Sequence, residues 1–105
     1  MNLTYPTTLV LQALANGFHY GFDVIDATAL PSGTVYPILR RLEREALVRA
    51  RWEKPEIARR EQRPPRRYYE LTAAGEALLE TALARYRAPQ AIAARGRRLR
   101  PARSS

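Results

Sequence analysis

Cysteine is absent from this 105-residue chain. Disulfides, thiolate catalysis and sulfur-ligated metals are therefore excluded. One histidine, His19, is too little for a metal site. No apolar run approaches the roughly 20 residues that a membrane span needs. The opening MNLTYPTT lacks the basic start of a secretory signal. Together with the missing disulfides, which suit a reducing compartment, these features lead us to expect a cytoplasmic protein. No serine has a matched base and no carboxylate pair stands out, while Asp23 and Asp26 are isolated. No enzyme activity and no cofactor are expected on this composition.

Positive charge is also missing, but only from part of the chain. The first 39 residues contain no lysine or arginine, whereas residues 40–67 hold eleven basic and five acidic side chains. Residues 68–84 carry only Glu70, Glu76 and Glu80, and residues 85–105 carry seven arginines and no acid. The net charge of +8 is thus segregated, and a polyanion is the simplest partner for such a field. The plainer alternative is solvated arginine without a partner. A chain of this length forms one small domain that buries only roughly 65% of its unfolded surface, so a partner subunit is expected.

Thr4 is placed to cap a first helix, with Pro6 inside its first turn. Leu9, Val10, Ala13 and Leu14 then fall on one face, and Asn16-Gly17 ends the helix. After an aromatic connection, Phe18 to Tyr20, a second helix runs from near Gly21 to about Ala29. Phe22, Val24 and Ile25 are its inward candidates. Pro31 closes it, and Ser32 is the expected cap of a third helix. Val35, Ile38, Leu39, Leu42 and Ala46 form that helix's inward stripe. Thr34, Tyr36, Pro37, Arg40, Arg41 and Arg44 remain outside, with Glu43 and Glu45 in solvent.

Leu47 to Glu53 alternates like a half-buried strand, and Arg67 to Leu71 is β-prone enough to pair with it. The thirteen residues between them, KPEIARREQRPPR, read as a projecting hairpin loop. Trp52 is expected in the core or at an interface, and His19 in a structural role. Thr72 caps a last helix with Glu76 near its positive end. Leu78, Leu79, Ala82, Leu83 and Tyr86 make an apolar stripe that a small domain cannot easily cover alone. Pro89 is the expected stop, and the arginine-rich tail from about Arg95 reads as disordered. The order is that of a winged helix-turn-helix, mainly α with a small β-hairpin. We divide the chain into a winged-helix domain at 1–71, a dimerisation helix at 72–94 and a basic tail at 95–105.

Four stretches give the sequence a family likeness: HYGFDVI at 19–25, PSGTVYPILRRLEREALV at 31–48, RRYYELTAAGEALL at 66–79 and, in pattern only, TLVLQALANG. Across roughly residues 4–86 the chain resembles the PadR family of bacterial transcriptional regulators. Ala46 stands where that family commonly has glycine, and the short C-terminal region resembles the compact branch with a single final helix, so the family's larger C-terminal domain is not expected. The resemblance implies a homodimer paired through the last helix with help from the first. It also implies repression at inverted-repeat promoters, with many members answering to a small molecule; no effector is identified for this chain.

In that setting Ser32 and Thr34 offer hydroxyls and backbone N–H groups to phosphates. Tyr36 meets a thymine methyl or a phosphate, unless it packs on the wing instead. Arg40 can hold guanine through O6 and N7, a contact that discriminates by about 1–3 kcal/mol. Arg41 and Arg44 reach the backbone, with pairing to a nearby glutamate the alternative for Arg44. Lys54, Arg59, Arg60 and Arg63 of the wing suit a narrow minor groove. Double-stranded DNA of the nucleoid is the expected partner. A small basic RNA-binding or ribosome-associated protein is the alternative, although the aromatic surface sheet of a base-stacking RNA reader is lacking. A protein-interaction module working through the last helix is a third reading.

Overall fold

The computed structural model describes residues 3–86. The chain order is α1 (Tyr5–Ala15), α2 (Gly21–Thr28), α3 (Ser32–Arg44), β1 (Val48–Trp52), α4 (Pro55–Arg60), β2 (Arg67–Leu71) and α5 (Ala73–Arg85). Thr4 caps α1 as expected, its hydroxyl accepting from the Thr7 N–H at 3.2 Å. Val10, Ala13 and Leu14 are buried, but Leu11 lies outside the predicted stripe and is also fully buried, while Leu9 is only half-buried. Thr7 and Thr8 are buried too, each with its hydroxyl hydrogen-bonded to Thr4. α1 is therefore wrapped by α2, α3 and α5 rather than laid on them by one face.

Val24 of α2 and Val35, Leu39 and Leu42 of α3 complete the centre of the core with no exposed surface. Phe22 does not join them. It is 41% exposed and stacks instead on Tyr20, at 6.0 Å between ring centroids. Ser32 is not the cap of α3 either. Pro31 takes that place in extended conformation, and its carbonyl accepts from Thr34 at 2.9 Å and Val35 at 3.0 Å. Proline's fixed φ suits the extended cap, which moves Ser32 to the first helical position. At the other end, Ala46 leaves the inward stripe. It lies exposed at φ 59° in a left-handed turn, with Ala46 N–H on the Glu43 carbonyl and Leu47 N–H on the Leu42 carbonyl. These two bonds satisfy the last carbonyls of α3 in a Schellman arrangement.

The strands pair antiparallel from Val48↔Leu71 to Trp52↔Arg67. Val48 and Tyr69 face the core, at 3% and 7% exposure, and burial pushes the Tyr69 phenol pKa up. Tyr20 adds a one-residue bridge to Tyr68 on the other edge of β2. His19 fastens that bridge. Its carbonyl accepts from Tyr69 N–H at 2.8 Å, and its Nδ1 donates to the Tyr69 carbonyl at 2.7 Å. The role expected for His19 is thus seen.

The segment between the strands is not a loop throughout, because α4 forms within it and buries Ala58 to 2% exposure. Beyond β2, Thr72 caps α5 by accepting from Gly75 N–H at 3.1 Å. The same residue donates from its backbone to the Leu47 carbonyl and from its hydroxyl to the Ala46 carbonyl. A methyl group at Gly75 would overlap the Leu47 carbonyl, so α5 begins in direct backbone contact with the α3–β1 turn. Leu79 and Ala82, predicted to lie on an uncovered stripe, belong to the protomer's own interior at 8% and 0% exposure. Leu78, Leu83 and Tyr86 are half-buried, and the Tyr86 hydroxyl donates to the Leu3 carbonyl at 2.7 Å. The stop at Pro89 and the tail from Arg95 lie outside the described residues.

Candidate nucleic-acid interface

The inward stripe of α3 turns its remaining side chains outward. Ser32, Arg40 and Arg44 are exposed, and Thr34, Pro37 and Arg41 are half-buried. Pro37 stands inside the helix. Its missing N–H leaves only the carbonyl of exposed Gly33 unmatched, a group that water can serve. Tyr36 keeps 37% of its surface exposed. Its ring packs on Gly21, and any side chain at Gly21 would overlap that ring. The glycine of HYGFDVI is thus the floor on which the α3 tyrosine rests. Among the described residues Arg40 and Arg44 form no ion pair, so the alternative raised for Arg44 is not what the geometry shows.

On the wing, Lys54, Arg59 and Arg60 are exposed, the two arginines in the last turn of α4. Arg63 is different. Its guanidinium grips Glu53 with two bonds, at 2.7 and 2.8 Å, and its Nε donates to Glu61 at 2.9 Å. Glu53 also accepts from the Arg66 backbone at 3.3 Å. The Arg63 hydrogen bonds hold the Glu53 carboxyl below its ordinary 4.5, and Glu53 in turn raises Arg63. With side chains only 7% and 17% exposed, the pair closes the neck of the wing between β1 and β2, with α4 beyond it. Arg63, expected among the minor-groove residues, is thereby engaged in folding the wing.

Other side chains also depart from expectation. Glu43 is not left in solvent but binds Arg67 at 2.7 Å, tying α3 to β2. Trp52 is not in the core; it is 62% exposed, with Arg67 over its ring at 5.0 Å. A signal for α4 was present: Pro55 at the helix start, Glu56 in the first turn and Arg59 and Arg60 in the last match the helix dipole. No comparable signal marks the Glu53–Arg63 pair, which joins residues ten apart across a short helix. A concavity of about 400 Å³ lies apart from these arginines, lined by Leu14, Ala15, His19, Glu70, Leu71 and Glu76. Its two carboxylates make it a poor seat for a polyanion.

Comparison with known proteins agrees with this geometry. A PadR-like transcription factor from bacteroid fragilis is 29% identical, with a TM-score of 0.65 over 77% of this chain and 79% of that one. A PadR family transcription regulator from Clostridium difficile R20291 shares the fold at a TM-score of 0.68, with 23% identity over 85% and 94% of the two chains. BpsR of Bordetella bronchiseptica, whose DNA binding is regulated by 6-hydroxynicotinic acid, is 25% identical, with a TM-score of 0.65. The match covers 86% of this chain and 64% of BpsR. No curated protein matches the chain. Residues 10–81, from the middle of α1 into α5, match the transcriptional regulator PadR-like family; the chain belongs to that family, whose members regulate transcription by binding DNA.

Proposed function

We propose that this regulator is a repressor that binds an inverted-repeat operator as a homodimer. α3 lies in the major groove, where Tyr36 and Arg40 read base edges and Ser32, Thr34, Arg41 and Arg44 hold phosphates. Pro37 lies against the groove wall. Lys54, Arg59 and Arg60 of the wing follow the adjacent backbone or minor groove. The observation that carries this reading is the outer face of α3, where Tyr36 is 37% exposed and Arg40 has no acidic partner among the described residues. A long side chain left unpaired on a rigid helix can give both guanidinium prongs to a base. The site of action is nucleoid DNA in the cytoplasm.

Pairing of two copies uses the half-buried Leu78, Leu83 and Tyr86, since Leu79 and Ala82 are already inside the protomer. Half-sites are then centred about one helical turn, roughly 34 Å, apart. Selection of bound DNA from a random duplex library tests partner, symmetry and spacing together, and enrichment of a two-fold symmetric motif is expected. Equal affinity for every duplex, with tighter binding of structured RNA, would instead favour an RNA-binding protein. Sedimentation showing a folded monomer at micromolar concentration would remove the dimer.

A further inference from the structure

Side chains alternate along β2, so Tyr68 leaves the face of the sheet opposite Tyr69, and Arg66 comes just before the strand. On that outer face four aromatic rings form a continuous surface. His19 stacks on Tyr68 at 4.6 Å, Tyr20 meets Tyr68 edge-on at 5.6 Å, and Tyr20 and Phe22 are parallel within 8°. The guanidinium of Arg66 lies over Phe22 at 4.5 Å and near Tyr20 at 5.9 Å. Core packing does not explain Phe22, which is 41% exposed at the start of α2. It does serve as a platform for that cation.

We propose that Arg66, laid on Phe22 beside Tyr20, is an additional contact to the phosphate backbone of duplex DNA, outside the groove that α3 enters. This rests on the duplex-binding reading above. Three observations carry it. An aromatic ring engages only the face of a guanidinium, so Arg66, 4.5 Å above Phe22, keeps N–H donors available to phosphate oxygens. The neighbouring carboxylate, Glu53, is already held by both prongs of Arg63, and among the described residues no acid forms an ion pair with the Arg66 side chain. Phe22 directly follows Gly21, on which Tyr36 rests, so the cluster starts one residue from the support of the α3 tyrosine. Ordering Arg66 before binding also removes part of the rotamer entropy that a free arginine loses on contact.

The test is the salt dependence of binding, measured on the selected operator and on an unrelated duplex. Arg66→Ala is expected to weaken both by roughly five- to tenfold. It should also lower the slope of log affinity against log salt by about 0.9, the share of one phosphate. Phe22→Ala removes no charge, so it should weaken binding while Phe22→Tyr restores it. Arg66→Ala with wild-type affinity and slope, while Arg60→Ala still lowers the slope, would overturn the proposal and leave the duplex reading standing. A lower melting temperature for Arg66→Ala with an unchanged slope would overturn it as well, making Arg66 a cover for Phe22. If the wild-type protein prefers structured RNA to every duplex, the duplex reading falls and this contact falls with it.

Discussion

α3 and the wing are both rich in arginine, yet their cations are in opposite states. On α3, Arg40 and Arg44 are one turn apart, exposed and unpaired among the described residues, because Glu43 is turned away to Arg67. On the wing, acids and bases meet. Arg63 sits between Glu53 and Glu61, and Glu70 lies 3.8 Å from both Arg49 and Arg51. Only Lys54, the end of α4 and Arg66, laid over Phe22, present cations free of an acid there among the described residues. A count of charges cannot separate the two regions. What separates them is whether the backbone brings a carboxylate within reach, since a guanidinium held by an acid has little left for a phosphate.

The surest way to erase the contrast is to remove the platform under α3. Leu39 has no exposed surface, so Leu39→Ala should cost about 2–5 kcal/mol in urea unfolding and take DNA binding with it. Arg40→Ala should leave the fold intact and lose about 1–3 kcal/mol of preference for the operator over an unrelated duplex in competition binding. The wing supplies the complementary pair. Arg60→Ala should weaken binding to all sequences and flatten the salt slope by about 0.9, whereas Arg63→Ala should lower the melting temperature before it affects binding.

Acid sharpens the same distinction. Folding lowers the Glu53 pKa below its ordinary 4.5, so the unfolded chain takes up this proton first. The ion pair therefore stabilises the fold above pH 4.5, and its contribution is lost as pH falls through the folded value. Wild type should exceed Glu53→Gln in urea midpoint at neutral pH and converge on it as pH falls below 4.5 and through the folded value. The smallest effect concerns a feature common to both regions. α3 and α4 each end with a non-glycine residue in the left-handed conformation, Ala46 at φ 59° and Gln62 at φ 54°. Ala46→Gly should gain about 0.5–1 kcal/mol by thermal or urea melts, the left-handed penalty less glycine's entropy.

Where local rules decide, the sequence is legible. Thr4 and Thr72 cap the helices they were expected to cap, and the stripe from Val35 to Leu42 is buried as its spacing predicts. Tyr36 and Arg40 are outside because that stripe is inside. The errors fall where tertiary contact overrules local pattern. Phe22 looks apolar enough for the core but finds Tyr20 and Arg66 at the surface. Leu79 and Ala82 look free until α5 packs on α1. Arg63 looks like a ligand-seeking cation until α4 shortens the path to Glu53. Each depends on a partner distant in sequence, and periodicity carries no information about such partners.

The junction at Thr72 and Gly75 has a mechanical meaning. Three elements leave from one knot of main chain: the helix that carries Arg40, the strand that leads to the wing, and the helix that carries Leu78 and Leu83. With no space for even a methyl group between α5 and the Leu47 carbonyl, the knot has no slack. Repositioning the last helix would drag the root of the wing along, so in the proposed dimer the orientation in which two copies join would also set the angle at which their arginines arrive.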